Sequence, residues 1–264
     1  MHIFFSIFGR QIPAYGLLIF LGGFFANIIG YFYIKHEKKD FDDLILIEAY
    51  CILGGFLGAK LLYLLVTFNE IEWNRFFEAE YFKAIMQGGF VFYGGLIGGI
   101  AAALLAGKLH KLDIGYYFTH CIFLIPFIHG FGRIGCFMAG CCYGIPYDGP
   151  LAVIFPESSM AIHGVKLFPV QLVEAVCLII ISFIIFLMTV KFKSRFTVEA
   201  YLILYAIVRF ILEHFRYDPE RGYFMGVSTS QWISILLFTA AIISIIVRTK
   251  IRPSNMNKEV AEEH

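Results

Sequence analysis

Seven apolar stretches divide the chain, and polar residues gather between them. They run over about 14–34, 44–67, 89–107, 115–138, 169–190, 197–215 and 229–248. Each approaches the roughly 20 residues a helix needs to cross a bilayer. The pattern predicts an all-α membrane protein with seven transmembrane helices. The third stretch opens with "GGFVFYGGLIGG", glycines that let helix backbones approach closely. Residues 144–168 carry Pro146, Gly149, Pro150, Pro156 and Gly164 around the run "LAVIF", which predicts a small irregular cap with two short strands. One seven-span domain is expected over 1–252, followed by a polar tail over 253–264. The first stretch has no basic region before it and no small-residue cleavage site after it, so it reads as a span and not as a cleaved leader.

Charge supplies the direction. Lys35, Lys38 and Lys39 follow the first stretch, and Lys108 and Lys111 follow the third. Lys191, Lys193 and Arg195 follow the fifth, and Arg248, Lys250, Arg252 and Lys258 follow the seventh. The opposite ends have only Arg10, Arg75, Lys83, Lys166, Arg216 and Arg221. Basic loops stay in the cytoplasm, so the N-terminus is expected outside and the tail inside. Composition agrees with a membrane class: the chain is 59% hydrophobic with a mean hydropathy of +0.75. Its 16% charged residues fall well below the ~25% of soluble domains. A net charge of +1, with no basic block, gives no reason to expect nucleic acid, and a monomer is expected.

That topology sorts the polar residues by depth. Lys60, Arg133, Cys136, Arg209, Glu213 and Arg216 come late in outward-running spans. Tyr15, Tyr93, Gln171, Glu174 and Gln231 come early in inward-running ones. All of these fall toward the outer leaflet, and the inner halves look nearly bare. An ionisable group at mid-helix costs about 2.5–3.5 kcal/mol on insertion scales. Such groups either pair, as Glu213 can with Arg209 at i, i+4 or Arg216 at i, i+3, or line a cavity for an anionic headgroup, which guanidiniums grip in bidentate fashion.

The stretch "HGFGRIGCFMAGCCYG" at 129–144 concentrates the chemistry. His129, Arg133 and Cys136 are spaced i, i+4, i+7 and share one helix face. Gly130, Gly132 and Gly135 strip bulk from around the arginine. Cys136, Cys141 and Cys142 allow three readings: small residues in a tight turn, a redox pair on an oxidising face, or a metal site with His129. The spacing fits none of the common zinc patterns, so neither metal nor cofactor is expected. Cys51, Cys121 and Cys177 stand singly in apolar runs and read as small buried hydrophobes.

"GRIGCFMAGCCYG" resembles the signature of the bacterial prolipoprotein diacylglyceryl transferases, roughly G-R-x-G-N-F-x-N-G-E. Collinear similarities follow at "YGLL" from Tyr15, "GGFVFYGGLIGG", "FPVQLVEA" at 168–175, "YAIVRFILEHFR" at 205–216 and S-x-x-Q at Ser228–Gln231. The resemblance implies seven spans in the bacterial cytoplasmic membrane, N-terminus outside, with the site facing the outer leaflet. It implies transfer of the diacylglyceryl group of phosphatidylglycerol to the lipobox cysteine thiol of a preprolipoprotein, forming a thioether and releasing glycerol phosphate. The partners are then phosphatidylglycerol, preprolipoprotein signal peptides and membrane lipids. Arg133 and Arg209 map to the essential arginines and Tyr15 to the span-1 tyrosine; Gln171, Glu174, Glu213, Arg216, Gln231 and Cys136 are expected to orient substrate. The chain departs where the usual histidine is Tyr93, the signature asparagine Cys136 and the signature glutamate Cys141. In the usual H-P-x-Q-L-Y-E, Phe168 and Val173 replace the histidine and tyrosine. His129 or Tyr93 is then the expected proton acceptor. A non-catalytic lipid- or peptide-binding protein, or a thiol-redox or metal-handling protein, is the alternative on the same scaffold.

Overall fold

A computed structural model describes residues 4–7, 9–217 and 222–262. The side chains of Ile7, Arg10 and Tyr223, and those beyond Lys250, lie outside the described residues. Of the residues in the charge pattern, Arg221 and the side chains of Arg10, Arg252 and Lys258 are therefore not described.

The chain forms two compact units, Tyr31–Tyr117 and the remainder, with the long first helix, α1 (Ala14–His36), contributing to each. Before it, β1 (Phe4–Ile7) and β2 (Arg10–Pro13) form an antiparallel hairpin with Phe4 opposite Pro13, which the apolar pattern did not predict.

In the Tyr31–Tyr117 unit, α2 (Phe41–Val66) starts at Asp40, whose carboxylate accepts the Asp42 amide at 3.0 Å. Asp42 and Asp43 occupy the first turn, where acids favour the helix dipole. A short 3-10 turn (Trp73–Arg75) and α3 (Ala79–Gln87) follow, in a segment the sequence left without structure. Then α4 (Phe92–His110) packs along α2 through glycine. A Cβ on Gly58 would stand 2.3 Å from the Gly94 carbonyl oxygen, and one on Gly98 would stand 2.3 Å from that of Gly54. Only glycine permits this backbone approach. Lys60 donates to the carbonyl oxygens of Ile85, Gly88 (2.5 Å) and Gly89 (3.3 Å) and lies over the Tyr63 and Phe90 rings.

The fourth apolar stretch, expected as one helix, is two: α5 (Ile114–Cys121) and α6 (Leu124–Ala139), bent by 55°. Pro126 explains the break. It has no N–H to give, and its ring crowds the carbonyl four residues earlier, at Ile122. Hydroxyls from other helices brace the junction: Ser182 donates to the Phe123 oxygen at 2.7 Å and Thr197 to that of Thr119 at 2.5 Å.

The rest of this unit comprises β3 (Val153–Ile154) and β4 (Lys166–Leu167), α7 (Val170–Val190), α8 (Thr197–Glu213), β5 (Tyr223–Phe224), β6 (Val227–Ser228) and α9 (Thr229–Glu262). α7 packs between α6 and α8, and α9 packs on α8. The expected cap strands pair antiparallel, Val153 with Leu167. Phe155, Ala161 and Leu167 form a small core beneath them, with Phe137 and Tyr143 against it.

The protein is mostly helical, and its apolar helices mark it as a multi-pass membrane protein. Among the described residues, five helices are long and apolar enough to span a bilayer, and the bent α5–α6 pair makes up to six. α8 falls short of that set: it has 17 residues, and Glu199, Arg209 and Glu213 lie among them.

Candidate functional site

α6, α7, α8 and the start of α9 each bring polar side chains to one buried cluster. Arg133 comes from α6, where it is 7% exposed. Its Nη2 lies 2.6 Å from Glu174 Oε2, a carboxylate only 2% exposed on α7. Arg209, in the last turns of α8, places Nη1 3.8 Å from the same oxygen and Nη2 2.7 Å from Glu213 Oε2. Ser230 accepts from Arg209 at 3.1 Å, and Ser228 donates to Glu213 Oε1 at 3.0 Å. The result is an alternating chain, Arg133–Glu174–Arg209–Glu213–Ser228, drawn from α6, α7, α8 and β6.

The predicted pairing of Glu213 with Arg209 is present. Glu174 adds a bridge between the two arginines that helix spacing could not reveal, because it comes from a different helix. The Arg133 and Arg209 nitrogens facing Glu174 lack hydrogen-bond alignment to it. Arg133 Nε and Gln171 Oε1 are buried with no hydrogen-bond partner among the described residues. Buried polar groups are nearly always satisfied, so these atoms mark where a further polar group belongs. Arg216, also buried, lies in electrostatic reach of Cys142 and Tyr205.

Arg216 is held through its backbone, which bridges Gly144 while Ile145 donates to the Phe215 oxygen at 3.0 Å. A side chain at Gly144 would strike the Phe168 oxygen at 2.3 Å, so the glycine ending the Cys-rich stretch is sterically required. Gly135 serves Tyr15: its absent Cβ would stand 3.0 Å from the Tyr15 ring and 3.1 Å from its Cα. Gly130 faces Ile179 and the Ala175 oxygen of α7. The glycines around Arg133 thus admit α1 and α7 and do not leave open space. Tyr15, 45% exposed, comes within electrostatic reach of Arg133 and the three cysteines.

Gln171 donates to the Cys141 carbonyl at 2.9 Å. Gln231 accepts from the Ser228 amide at 3.0 Å while Ser228 Oγ accepts from the Gln231 amide at 3.2 Å. This reciprocal pair is a capping box at the start of α9, so S-x-x-Q orders the serine that holds Glu213. His129 stacks obliquely on Tyr205 at 5.6 Å and lies in electrostatic reach of Glu174, Arg133 and Arg209. Tyr93 belongs to the Tyr31–Tyr117 unit, 43% exposed with its ring on Phe92. Sequence reasoning missed Ser230, a common residue in an unremarkable context.

It also missed a pair at the other end of α8. Glu199, 4% exposed in the first turn, meets Arg248 of α9 at 2.5 Å and Ser244 at 2.8 Å. The span ends expected to be nearly bare therefore carry a buried charge pair. The partners are 49 residues apart, beyond any helical periodicity.

The three cysteine sulfurs converge. Cys136, Cys141 and Cys142 place Sγ atoms within 4.8 Å of one another, and Arg133 Nη1 lies 3.8 Å from Cys136 Sγ. Cys142 is the thiol that loses its proton most readily: hydrogen bonds from Cys136 and Cys141, then the Arg216 and Arg133 charges, draw it well below the ordinary thiol range.

A multi-pass helical membrane protein with a buried, arginine-rich polar site is the class these features define. The chain belongs to the prolipoprotein diacylglyceryl transferase family, whose model matches residues 2–247. It is 36% identical over 241 residues to the phosphatidylglycerol–prolipoprotein diacylglyceryl transferase of Clostridium tetani, covering 91% of this chain and 94% of that one. Clostridium perfringens has two proteins of that name. This chain is 32% identical to number 2, over 90% of this chain and 91% of that one. To number 1 it is 27% identical, over 92% of each chain.

Proposed function

We propose that this protein transfers the diacylglyceryl group of phosphatidylglycerol to the lipobox cysteine thiol of a preprolipoprotein. Family membership and the names of its relatives support the reaction. The observation that carries the site assignment is the convergence of Arg133 and Arg209 on one oxygen of buried Glu174, at 2.6 and 3.8 Å. Two guanidiniums fixed about a shared carboxylate can swing their remaining donors onto a phosphate. As the glycerol carbon–oxygen bond breaks, charge grows on the leaving phosphate, and preorganised donors stabilise it. Glu174 and Glu213 hold the arginines in place; Tyr15, Gln171, Arg216, Gln231 and Cys136 shape the surroundings. His129, in electrostatic reach of Arg133, Arg209 and Glu174, supplies proton transfer or orientation in preference to Tyr93. An apolar groove of about 240 Å³ between α8 and α9, lined by Ala206, Phe210, Ile211 and Phe238, suits an acyl chain.

In this reading all seven helical stretches cross the bacterial cytoplasmic membrane, within one domain over 1–252. The N-terminus and the cap lie outside, the polar tail over 253–264 lies in the cytoplasm, and the site opens to the outer leaflet. The protein works as a monomer with no nucleic-acid partner. Rescue of a strain depleted of its own transferase tests the reading in vivo. Failure of a well-expressed, folded protein to rescue, together with no transfer by the purified protein, would leave lipid or peptide binding without catalysis.

A further inference from the structure

We propose that Cys136, Cys141 and Cys142 bind a thiophilic divalent cation of the zinc class, and that its fourth position receives the acceptor thiol. The fourth-ligand half rests on the transferase reading; the metal-binding half does not.

The geometry suits the ion. A tetrahedral zinc with bonds of about 2.3 Å holds its sulfurs roughly 3.8 Å apart. The three Sγ atoms already lie within 4.8 Å of one another, so side-chain rotation of about 1 Å closes the site. Spacing alone concealed this, because the common zinc patterns join ligands through turns of another shape. Here α6 ends at Gly140 in the left-handed region (φ +73°), and Cys141 donates its amide back to the Cys136 oxygen at 3.1 Å. Cys142 is left-handed as well, at φ +55°, a conformation that costs a non-glycine residue about 1 kcal/mol or more. It persists because both flanks are fixed. Gln171 grips the Cys141 carbonyl at 2.9 Å, and the next residue, Tyr143, accepts from the Tyr217 amide at 3.1 Å and stacks on its ring. The turn thus holds three sulfurs together without any ligand's help.

The surroundings suit an anionic metal–thiolate centre with one open side. Cys136 is buried while Cys141 and Cys142 are partly exposed, so a fourth ligand approaches from their side. Three thiolates around a divalent ion leave one net negative charge. Arg133 lies 3.8 Å from Cys136 Sγ, and Arg216 acts on Cys142; both offset that charge.

The chemistry gives the open position a use. A catalytic metal site keeps three protein ligands and one exchangeable position, and a coordinated thiol is deprotonated. The acceptor thiol would displace bound water and lose its proton to solvent. Its sulfur lone pair then attacks the glycerol carbon that carries the phosphate ester. The carbon–sulfur bond forms, the carbon–oxygen bond breaks, and that electron pair leaves on the phosphate oxygen, giving a glycerol phosphate dianion. The neutral thioether is a poor ligand and departs. The metal would activate the acceptor thiol, and Arg133 lies beside it.

The test uses the full-length protein, purified in detergent under anaerobic, reducing conditions. Elemental analysis should find one zinc per chain. Cys136→Ser, Cys141→Ser and Cys142→Ser should each lose metal about tenfold or more, while Cys51→Ser, outside the cluster, retains it. Thermal melting of each variant separates metal loss from unfolding. Cobalt replacement should give thiolate-to-cobalt charge-transfer bands, and a lipobox peptide should shift the visible cobalt bands where its serine analogue does not. A chelator should abolish transfer, and zinc should restore it. Full reactivity of all three thiols with no metal bound, a disulfide within the trio, or metal retained in every variant would overturn the site. An unchanged cobalt spectrum with peptide would overturn the fourth-ligand role alone. Metal bound without transfer by any form would count against the transferase reading and leave the site standing.

Discussion

In the Tyr31–Tyr117 unit, α2 and α4 meet through Gly54, Gly58, Gly94 and Gly98, with backbone against backbone. No charged or amide side chain in that unit is buried among the described residues. The other unit buries Arg133, Gln171, Glu174, Glu199, Arg209, Glu213, Arg216 and Gln231. Both are built mainly of apolar helices, so the contrast lies in what joins the helices. Glycine contact needs no polar group and fixes distance. A web of buried charge is costly to desolvate and is worth keeping only where charge is used. Chemistry is therefore to be sought in the second arrangement and scaffolding in the first.

Substitutions can break this contrast. Arg133→Ala and Arg209→Ala should each reduce transfer about a hundredfold to a thousandfold, the usual cost of one preorganised donor to a developing anion. Lysine at either place should restore little, because a point charge lacks the bidentate fork. Product quantified by mass spectrometry checks both. Glu174→Gln should lower stability by about 3 kcal/mol, since it leaves two buried guanidiniums facing a neutral amide; detergent melting measures it. The two candidate proton acceptors set one unit against the other. His129→Gln should slow transfer about a hundredfold, the lower end for a positioned acid–base group, and Tyr93→Phe much less. The reverse order would move that role to the glycine-joined unit. Gly58→Leu should destabilise by about 1–3 kcal/mol through overpacking, without touching the charge web. Ser182→Ala, which removes the brace at the α5–α6 bend, should cost about 0.6 kcal/mol.

The helical multi-pass class was legible in the sequence, because apolar run length reports directly on candidate spans. Arg133 and Arg209 stood out for the same reason, as charges where charge is costly. The bend was half legible. Pro126 is plain to see, but whether a proline kinks or ends a helix depends on neighbours such as Ser182 and Thr197. Glu174 bridging two arginines and Glu199 meeting Arg248 were not legible, because both are contacts between helices far apart in sequence. The cysteine trio was hidden differently. Its residues were all noticed, but their convergence depends on a left-handed turn at Gly140 and Cys142 that no ligand-spacing pattern encodes. The hairpin of β1 and β2 is too short for alternation to reveal.

One assay reaches the central claim: purified protein, phosphatidylglycerol and a peptide bearing a lipobox cysteine, with mass spectrometry of the products. The expected result is a diacylglyceryl thioether on that cysteine and an equal amount of released glycerol phosphate, both lost in Arg133→Ala and Arg209→Ala. Turnover undiminished in both alanine variants, or none by the folded wild-type protein, would contradict the assignment of this site to diacylglyceryl transfer.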